Sequence, residues 1–209
     1  MKNNIIRFFF CLIFSSTAFA NVTLPNVFSD NMVLQRNAEV TFWGWANPQE
    51  EIVITPSWNN QEYKVKASNQ AMWEIVIPTP KEGGPYTITI KGYNEIILKN
   101  ILIGEVWICS GQSNMELPME RVKEKYGEVI KNAKNDMIRH FLVPDKYDFK
   151  KPQADIDSGD WIAANPETVL NFSAVAYFFA KEIYEKNQVP IGLINTALGG
   201  SPVESWMSE

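Results

Sequence analysis

The sequence predicts a fold of two parts, an all-β amino-terminal region followed by an α/β region. Between residue 21 and about residue 100, short stretches of alternating apolar and polar residues are separated by turn residues, such as Asn47-Pro48 and Glu82-Gly-Gly-Pro85. After residue 100, nearly continuous apolar runs alternate with segments of helical spacing. Strands that alternate with helices predict a parallel sheet in a doubly wound arrangement.

Five predicted strands in residues 21–100 favour an antiparallel, β-sandwich-like domain. They are Glu39–Trp45, Glu51–Thr55, Gln61–Lys66, Trp73–Ile77 and Tyr86–Lys91. The region is rich in tryptophan, which leaves two roles open: sugar binding, or the more common filling of a core. The tryptophans are Trp43, Trp45, Trp58 and Trp73. Structural support is the favoured role of this region.

Residues 101–209 form the predicted α/β domain. The apolar run Ile101–Cys109 predicts a strand that is buried on both faces. The remaining elements are predicted strands at Met137–Val143 and Pro190–Asn195, predicted helices at 121–134 and Ser173–Lys186, and a polar surface excursion at 144–166. Sites in such sheets lie where strands end, so Gly111–Met115 and Thr196–Ser201 mark the candidate site.

The first twenty residues predict a secretory signal peptide. Lys2 and Arg7 precede an apolar run, Phe8–Phe14, and Ala18-Phe-Ala20 is a small-x-small cleavage site. The run is shorter than the ~20 apolar residues that a membrane-spanning helix needs. The sequence therefore predicts an exported protein, periplasmic or extracellular, without a membrane anchor.

Composition limits the partners and cofactors that we expect. The formal net charge is -5, and cleavage after Ala20 would remove Lys2 and Arg7 and so make the protein more negative by two charges. Because nucleic acids are themselves negatively charged, a nucleic-acid partner is not expected. Cys109 is the only cysteine after the signal peptide, and His140 is the only histidine. This leaves no clustered metal ligands, and phosphate-loop and dinucleotide motifs are absent, so no metal and no cofactor are predicted.

Ser113 is the candidate nucleophile. It lies in Gly111-Gln-Ser-Asn-Met115, directly after the predicted buried strand, where Gly111 allows a tight turn and backbone N–H groups can face a developing oxyanion. A serine hydroxyl needs a neighbouring base to attack an ester. Because Met115 stands where the Gly-x-Ser-x-Gly elbow has glycine, the turn alone is also compatible with a helix cap.

Four segments together resemble the sialate O-acetylesterases of the SGNH hydrolase superfamily. They are Leu24–Gln35, Gly104–Met115, Asn171–Ala180 and Ile191–Trp206. The resemblance implies the first part of an SGNH-type, flavodoxin-like α/β/α hydrolase domain after the β-sandwich-like region. It also implies a serine esterase that removes O-acetyl groups from sialic acid or related sugars through an acyl-serine intermediate.

The resemblance assigns roles by position. Ser113 matches the nucleophile, and its N–H would donate to the oxyanion. Gly199 and Gly200 would donate as well, or form a plain tight turn. Asn114 is a candidate for substrate orientation or for bracing the loop, and Trp206 either lines the sugar site or anchors the loop. Two glutamates are either pocket carboxylates or surface residues: Glu116 and Glu204.

The family's general base has no counterpart in these residues. It comes from a later Asp-x-x-His block, whereas this sequence reaches Glu209 just after the Gly-Gly loop, and His140 lies in a predicted strand. Losing the base of a serine triad costs on the order of 10⁴ to 10⁶ in kcat. We therefore expect a hydrolase domain that is incomplete at its carboxyl end, as a fragment of a longer enzyme or completed by a second chain. A non-catalytic carbohydrate-binding protein and a nonfunctional truncation product are the alternatives.

Overall fold

The computed structural model describes residues 21–148 and 150–207, so the predicted signal peptide lies outside the described residues. These described residues contain ten strands. They are β1 (Val33–Gln35), β2 (Glu39–Trp45), β3 (Glu51–Pro56), β4 (Tyr63–Lys66), β5 (Met72–Pro78), β6 (Gly83–Lys91), β7 (Glu95–Cys109), β8 (Asn135–Leu142), β9 (Trp161–Ala164) and β10 (Ile191–Asn195).

In the same part of the chain there are three α-helices: α1 (Ser113–Glu116), α2 (Lys123–Lys131) and α3 (Ala174–Asn187). Short 3₁₀ turns span Met119–Val122, Thr168–Asn171 and Val203–Trp206. Helix α3 begins after Ser173, whose hydroxyl accepts a hydrogen bond from the N–H of Ala176, and ends at Gln188 in the left-handed conformation. No helix in the described part of the chain is long and apolar enough to cross a bilayer.

One mixed sheet of eight strands organises the molecule. Its order is β4-β3-β6-β7-β10-β8-β9, and β1 pairs in parallel with β7. Strands β7, β10 and β8 run parallel to one another, as an α/β fold requires. Strands β2 and β5 form a separate two-stranded antiparallel sheet. The α/β class is therefore confirmed, whereas the β-sandwich is not, because most of the amino-terminal strands belong to the large sheet.

Strand β7 is 15 residues long and runs through residue 100, the predicted domain boundary. Its first part pairs antiparallel with β6, from Glu95 to Ile103. Its last part, Glu105–Cys109, pairs parallel with β10. The two regions thus share a strand, and their division near residue 100 stays a prediction.

Two apolar cores flank the sheet. The larger core joins the two-stranded sheet to the amino-terminal half of the large sheet and contains Phe42, Trp73 and Ile101. Trp73 therefore has the core role, while Trp43 stays 36% exposed and packs edge-on against Phe28. The second core lies between the sheet and both longer helices, which touch through the rings of Tyr126 and Phe178.

The helices α2 and α3 contribute to the same core, so a doubly wound arrangement with helices on both faces is not seen in residues 21–148 and 150–207. On the other face of β10, Gly192 lies so close to Val33 and Trp161 that a side chain there would collide with them. The amino-terminal region covers this face in place of a helix.

Two sequence predictions about this sheet were wrong. The run Ile101–Cys109 is not buried on both faces throughout, because Trp107 is 44% exposed and Ile108 is 72% exposed. The segment 144–166 is not only a surface excursion, because its residues Trp161–Ala164 form β9 against β8. Trp161 drives this pairing: it is buried, it packs on Phe141, and its indole N–H donates to the carbonyl of Val27 at 2.9 Å.

A buried guanidinium connects β8 to the amino-terminal region. Arg139 is 3% exposed, and its Nη1 donates to the carbonyls of Asn31 and Asn100, both at 2.6 Å. Both asparagines adopt positive φ, which turns their carbonyls toward the cation. Burial lowers the pKa of Arg139 to about 10, so the guanidinium stays charged at neutral pH.

We expect the substitution Arg139→Met to lower the free energy of unfolding by about 3 kcal/mol, because it leaves two buried carbonyls without donors. Denaturant unfolding of the folded chain measures this effect. Arg121→Met is the matched control, since Arg121 is exposed. Equal stability of the two variants would show that the guanidinium does not connect the regions.

The buried histidine of β8 should make the free energy of unfolding depend on pH. His140 is 3% exposed and stacks on Phe172, and burial lowers its pKa from 6.5 to about 4. The unfolded chain therefore binds a proton between pH 6.5 and 4 that the folded chain does not. The free energy of unfolding should fall by about 3 kcal/mol as the pH falls through this window.

Unfolding of the native chain and of His140→Gln at pH 7 and pH 4 isolates this contribution, because the carboxylates titrate in both proteins. The native chain should lose about 3 kcal/mol more than the variant. Parallel pH profiles would contradict the assignment.

Candidate functional site

The candidate nucleophile stands on a sharp turn at the end of β7. Gly111 has a φ of 136°, a conformation that L side chains rarely adopt, and this lets the chain leave the strand and begin α1 at Ser113. Ser113 is exposed. Neither its hydroxyl nor its backbone N–H has a hydrogen-bond partner among the described residues. Both groups are therefore available to a substrate.

The Gly-Gly loop after β10 lies against this turn, as the shared sheet edge predicts. The N–H of Thr196 donates to the carbonyl of Cys109 at 3.0 Å, and the N–H of Leu198 donates to that of Gly111 at 2.9 Å. A Cβ atom at Gly199 would lie 3.5 Å from the Cβ of Ser113. The structure thus brings Ser113 and the loop 196–201 together.

Glu116 holds the loop in place. Its Oε2 accepts a hydrogen bond from the backbone N–H of Gly199 at 2.7 Å, and any side chain at position 199 would collide with this carboxylate. The N–H of Gly199 is therefore engaged in this structure. The N–H of Gly200, whose φ is 76°, has no acceptor in the described part of the chain. The oxyanion roles of both glycines remain predictions.

A second set of contacts fixes the far end of the loop. The side chain of Gln112 donates to the carbonyl of Ser201, so this glutamine braces the loop. The indole N–H of Trp206 donates to the hydroxyl of Ser201 at 2.9 Å, and that hydroxyl donates to the carbonyl of Leu198 at 2.7 Å. Trp206 is nevertheless 38% exposed, so its anchored ring also faces solvent. Asn114 is exposed, and its side chain makes no hydrogen bond within the described residues.

Two cavities flank the loop. The larger cavity has a volume of about 890 Å³. One side of its wall is formed by Gly200, Ser201, Glu204 and Trp206, and residues 143–148 and 150–152 also line it. The smaller, of about 470 Å³, has Glu116, His140 and Asn195 in its wall. Ser113 itself lines neither cavity.

Two residues that sequence reasoning did not assign to the site support it. Asn195 is buried at the end of β10, and its Oδ1 accepts a hydrogen bond from the N–H of Ala197 at 3.1 Å. Ser173 caps α3 and places its hydroxyl 3.6 Å from the sulfur of Met115. A serine before an apolar helix and an asparagine after a strand are the signals that mark them.

Neither His140 nor Cys109 supplies a base for Ser113. His140, with its pKa of about 4, makes no hydrogen bond to Ser113 among the described residues, and its Nε2 has no partner there. Cys109 is buried, and burial raises the pKa of its thiol to about 11, so it stays protonated and acts as an apolar filler. Within the described ranges, no group of three His, Cys, Asp or Glu side chains is arranged to hold a metal ion.

Comparison with known proteins identifies the relatives of this chain. Residues 103–209 match the family described as carbohydrate esterase, sialic acid-specific acetylesterase. The sialate O-acetylesterase of Homo sapiens is 27% identical over 197 residues, which cover 86% of this chain and 38% of the human protein. The sialate O-acetylesterase of Pongo abelii is 28% identical over 202 residues, with the same coverage of each chain.

A solved structure shows the same relationship. A carbohydrate acetylesterase from Xanthomonas citri superimposes with a TM-score of 0.84 at 36% identity, over 90% of this chain and 42% of the Xanthomonas chain. This chain therefore spans about two fifths of the length of these relatives. The matched family and the fold agree, and the chain belongs to the carbohydrate esterase family of sialic acid-specific acetylesterases.

Proposed function

We propose that this chain carries the nucleophile of an exported esterase that removes O-acetyl groups from sialic acid or a related sugar. The observation that carries the proposal is the exposed Ser113, held on a sharp turn against the loop of Gly199 and Gly200. Family membership supports ester hydrolysis, and the signal-like residues 1–20 support export.

In the proposed reaction, the hydroxyl oxygen of Ser113 attacks the acetyl carbonyl and gives its proton to a base. The carbonyl oxygen becomes an oxyanion, which the N–H groups of Ser113 and Gly200 stabilise. The intermediate collapses, and the sugar hydroxyl leaves with the proton that the base returns. Water then attacks the acetyl-serine with the help of the same base, which releases acetate and restores the serine.

The base of this reaction comes from polypeptide outside the described residues, whether in the same chain or in a second one. Two observations favour this source. His140 is buried and electrically neutral at neutral pH, and the relatives are more than twice as long as their match to this chain.

The larger cavity is the proposed sugar site. It adjoins Gly200 and offers the exposed ring of Trp206, on which a sugar face can stack. Its wall also holds three lysines beside three acidic residues, Asp145, Asp148 and Glu204. The lysines, which suit the carboxylate of a sialic acid, are Lys146, Lys150 and Lys151. Lys146 already pairs with Asp157 at 2.7 Å, so Lys150 and Lys151 are the better candidates.

The test of the proposed function is acetate release from O-acetylated sialic acid by the whole polypeptide, including any sequence that its gene encodes beyond these residues. We expect Ser113→Ala to lower kcat by on the order of 10⁴ to 10⁶, because it removes the attacking oxygen. Ser110→Ala is the matched control, since Ser110 is an exposed serine of the same turn and should tolerate the change. If the Ser113→Ala variant releases acetate at the native rate, the proposed function is wrong.

Glu116 is expected to act as a positioning residue for the loop. Glu116→Ala removes the acceptor for the N–H of Gly199, so the loop loses its place against Ser113 and kcat should fall about tenfold to a hundredfold. Glu116→Gln keeps an oxygen at the same place and should restore most of the loss without changing KM. Glu120→Ala, at an exposed position four residues on, is the control. A rise in kcat for Glu116→Ala would instead mean that the carboxylate blocks the oxyanion site.

A further inference from the structure

The smaller cavity, of about 470 Å³, has no part in the chemistry proposed for Ser113. It lies where β8 and β10 end, with Leu142, Asn195 and Ala197 in its wall, next to the loop that carries Gly199. Its volume falls within the usual range of small-molecule sites, roughly 300 to 1,000 Å³. The cavity is therefore large enough to hold a ligand group of its own.

Asn195 offers an unused hydrogen-bond donor to this cavity. The residue is 2% exposed, and its Oδ1 accepts a hydrogen bond from the N–H of Ala197 at 3.1 Å. Its Nδ2 makes no hydrogen bond among the described residues, although the side chain forms part of the cavity wall. Buried amide groups are normally hydrogen-bonded, so an unpartnered amide nitrogen at a cavity wall points to a ligand.

His140 is a second buried polar side chain of the same wall. Its ring stacks on Phe172 and makes no hydrogen bond in the described part of the chain. Burial lowers its pKa to about 4, so at neutral pH the imidazole is uncharged and has one donor and one acceptor. Two uncharged polar groups without partners thus face one cavity, and a ligand that carries hydroxyl groups can supply partners to both.

The rest of the wall combines apolar and acidic side chains. Leu142 and Ile162 contribute apolar surface, being 49% and 43% exposed. Three carboxylates also line the cavity, those of Glu116, Asp145 and Asp160, and none of the described lining residues is a lysine or an arginine. Like charges across a binding surface repel, so this wall disfavours an anionic ligand. A neutral sugar suits it, because a sugar ring has an apolar C–H face as well as hydroxyl groups.

The smaller cavity adjoins the larger one, which is the proposed site of the acetylated sugar. Residues 143–145 line both cavities. The larger cavity has lysines in its wall, whereas the smaller has carboxylates alone among its charged groups in the described part of the chain. A ligand that spans the two cavities would therefore place an acidic sugar in the larger and a neutral sugar in the smaller.

We propose that the smaller cavity binds a neutral sugar that is linked to the acetylated sugar, through the amide of Asn195 and the imidazole of His140. The inference rests on the proposed function and deepens it, because it names the substrate as an acetylated sugar within a glycan rather than a free monosaccharide. The neighbouring sugar must be uncharged, since an acidic one would meet the carboxylates of the wall.

The first test compares acetate release by the whole polypeptide from three forms of O-acetylated sialic acid: the methyl glycoside, the glycoside of galactose and the glycoside of a second sialic acid. We expect kcat/KM to be about tenfold higher for the galactose-linked form than for the methyl glycoside, as one or two additional hydrogen bonds would give. The form with a second sialic acid should be no better than the methyl glycoside. Equal values for all three forms, or a preference for the second sialic acid, would overturn the inference and leave the proposed function intact.

Two variants locate the preference in the smaller cavity. Ile162→Trp fills the cavity, and Asn195→Asp keeps an oxygen for the N–H of Ala197 but replaces the amide donor with a carboxylate. Each should bring the ratio of kcat/KM between the galactose-linked form and the methyl glycoside close to one. Ile97→Trp is the matched control, because Ile97 is a similarly exposed isoleucine, at 45%, that lines neither cavity. An unchanged ratio in both cavity variants contradicts the inference.

A binding measurement that needs no catalysis completes the test. His140 is the only histidine of this chain, so its imidazole gives a single set of NMR signals. Methyl β-galactoside at millimolar concentrations should shift these signals saturably in the native chain and in Ile97→Trp, but not in Ile162→Trp. If the native signals do not shift, the subsite is wrong. Acetate release that persists in Ser113→Ala would instead count against the proposed function alone.

Discussion

The structure depends on the continuity of β7. One strand pairs antiparallel with β6 in its first part and parallel with β10 in its last part, so the amino-terminal strands and the strands of the α/β region share a single hydrogen-bonded sheet. The change of partner falls at Glu105, whose carboxylate binds Arg36 at 2.7 Å and Gln35 at 3.0 Å. These contacts lower the pKa of Glu105 and keep it ionised where the two pairings meet.

This continuity fixes the site. Because β7 and β10 are neighbours in register, the turn after one strand and the loop after the other are hydrogen-bonded backbone to backbone before any substrate arrives. Glu116 and Gln112 add one side-chain contact each, to Gly199 in the middle of the loop and to Ser201 at its end. The nucleophile is thus held by rigid elements, which is the arrangement that catalysis by preorganised groups requires.

The sequence predicted well those features that depend on local pattern. The strand ending at Cys109, the helix from Ser173 and the strand ending at Asn195 follow from apolar periodicity, and the meeting of Ser113 with the Gly-Gly loop follows from the rule that parallel strands end at one edge. The exposure of Trp107 and Ile108 could not be predicted. An apolar run has the same appearance whether it lies inside a sheet or at the edge of one.

Other features depend on contacts between distant residues, and no local pattern reports them. The strand β9 lies in a polar segment, and it forms because Trp161 finds Val27 and Phe141 in another part of the chain. The hydrogen bond from the N–H of Gly199 to the carboxylate of Glu116 joins residues that are far apart in sequence. The sequence identified both residues but left their roles open, and only the fold shows that they meet.

The passage of β7 through residue 100 has an evolutionary consequence. A recombination event that joined the amino-terminal region to a different catalytic domain at this position would cut a strand in the middle of a sheet and separate Arg139 from the carbonyl of Asn100. The two regions therefore cannot be exchanged as independent modules. We therefore expect the two regions to be inherited as one unit, because a change on either side of residue 100 alters the same strand.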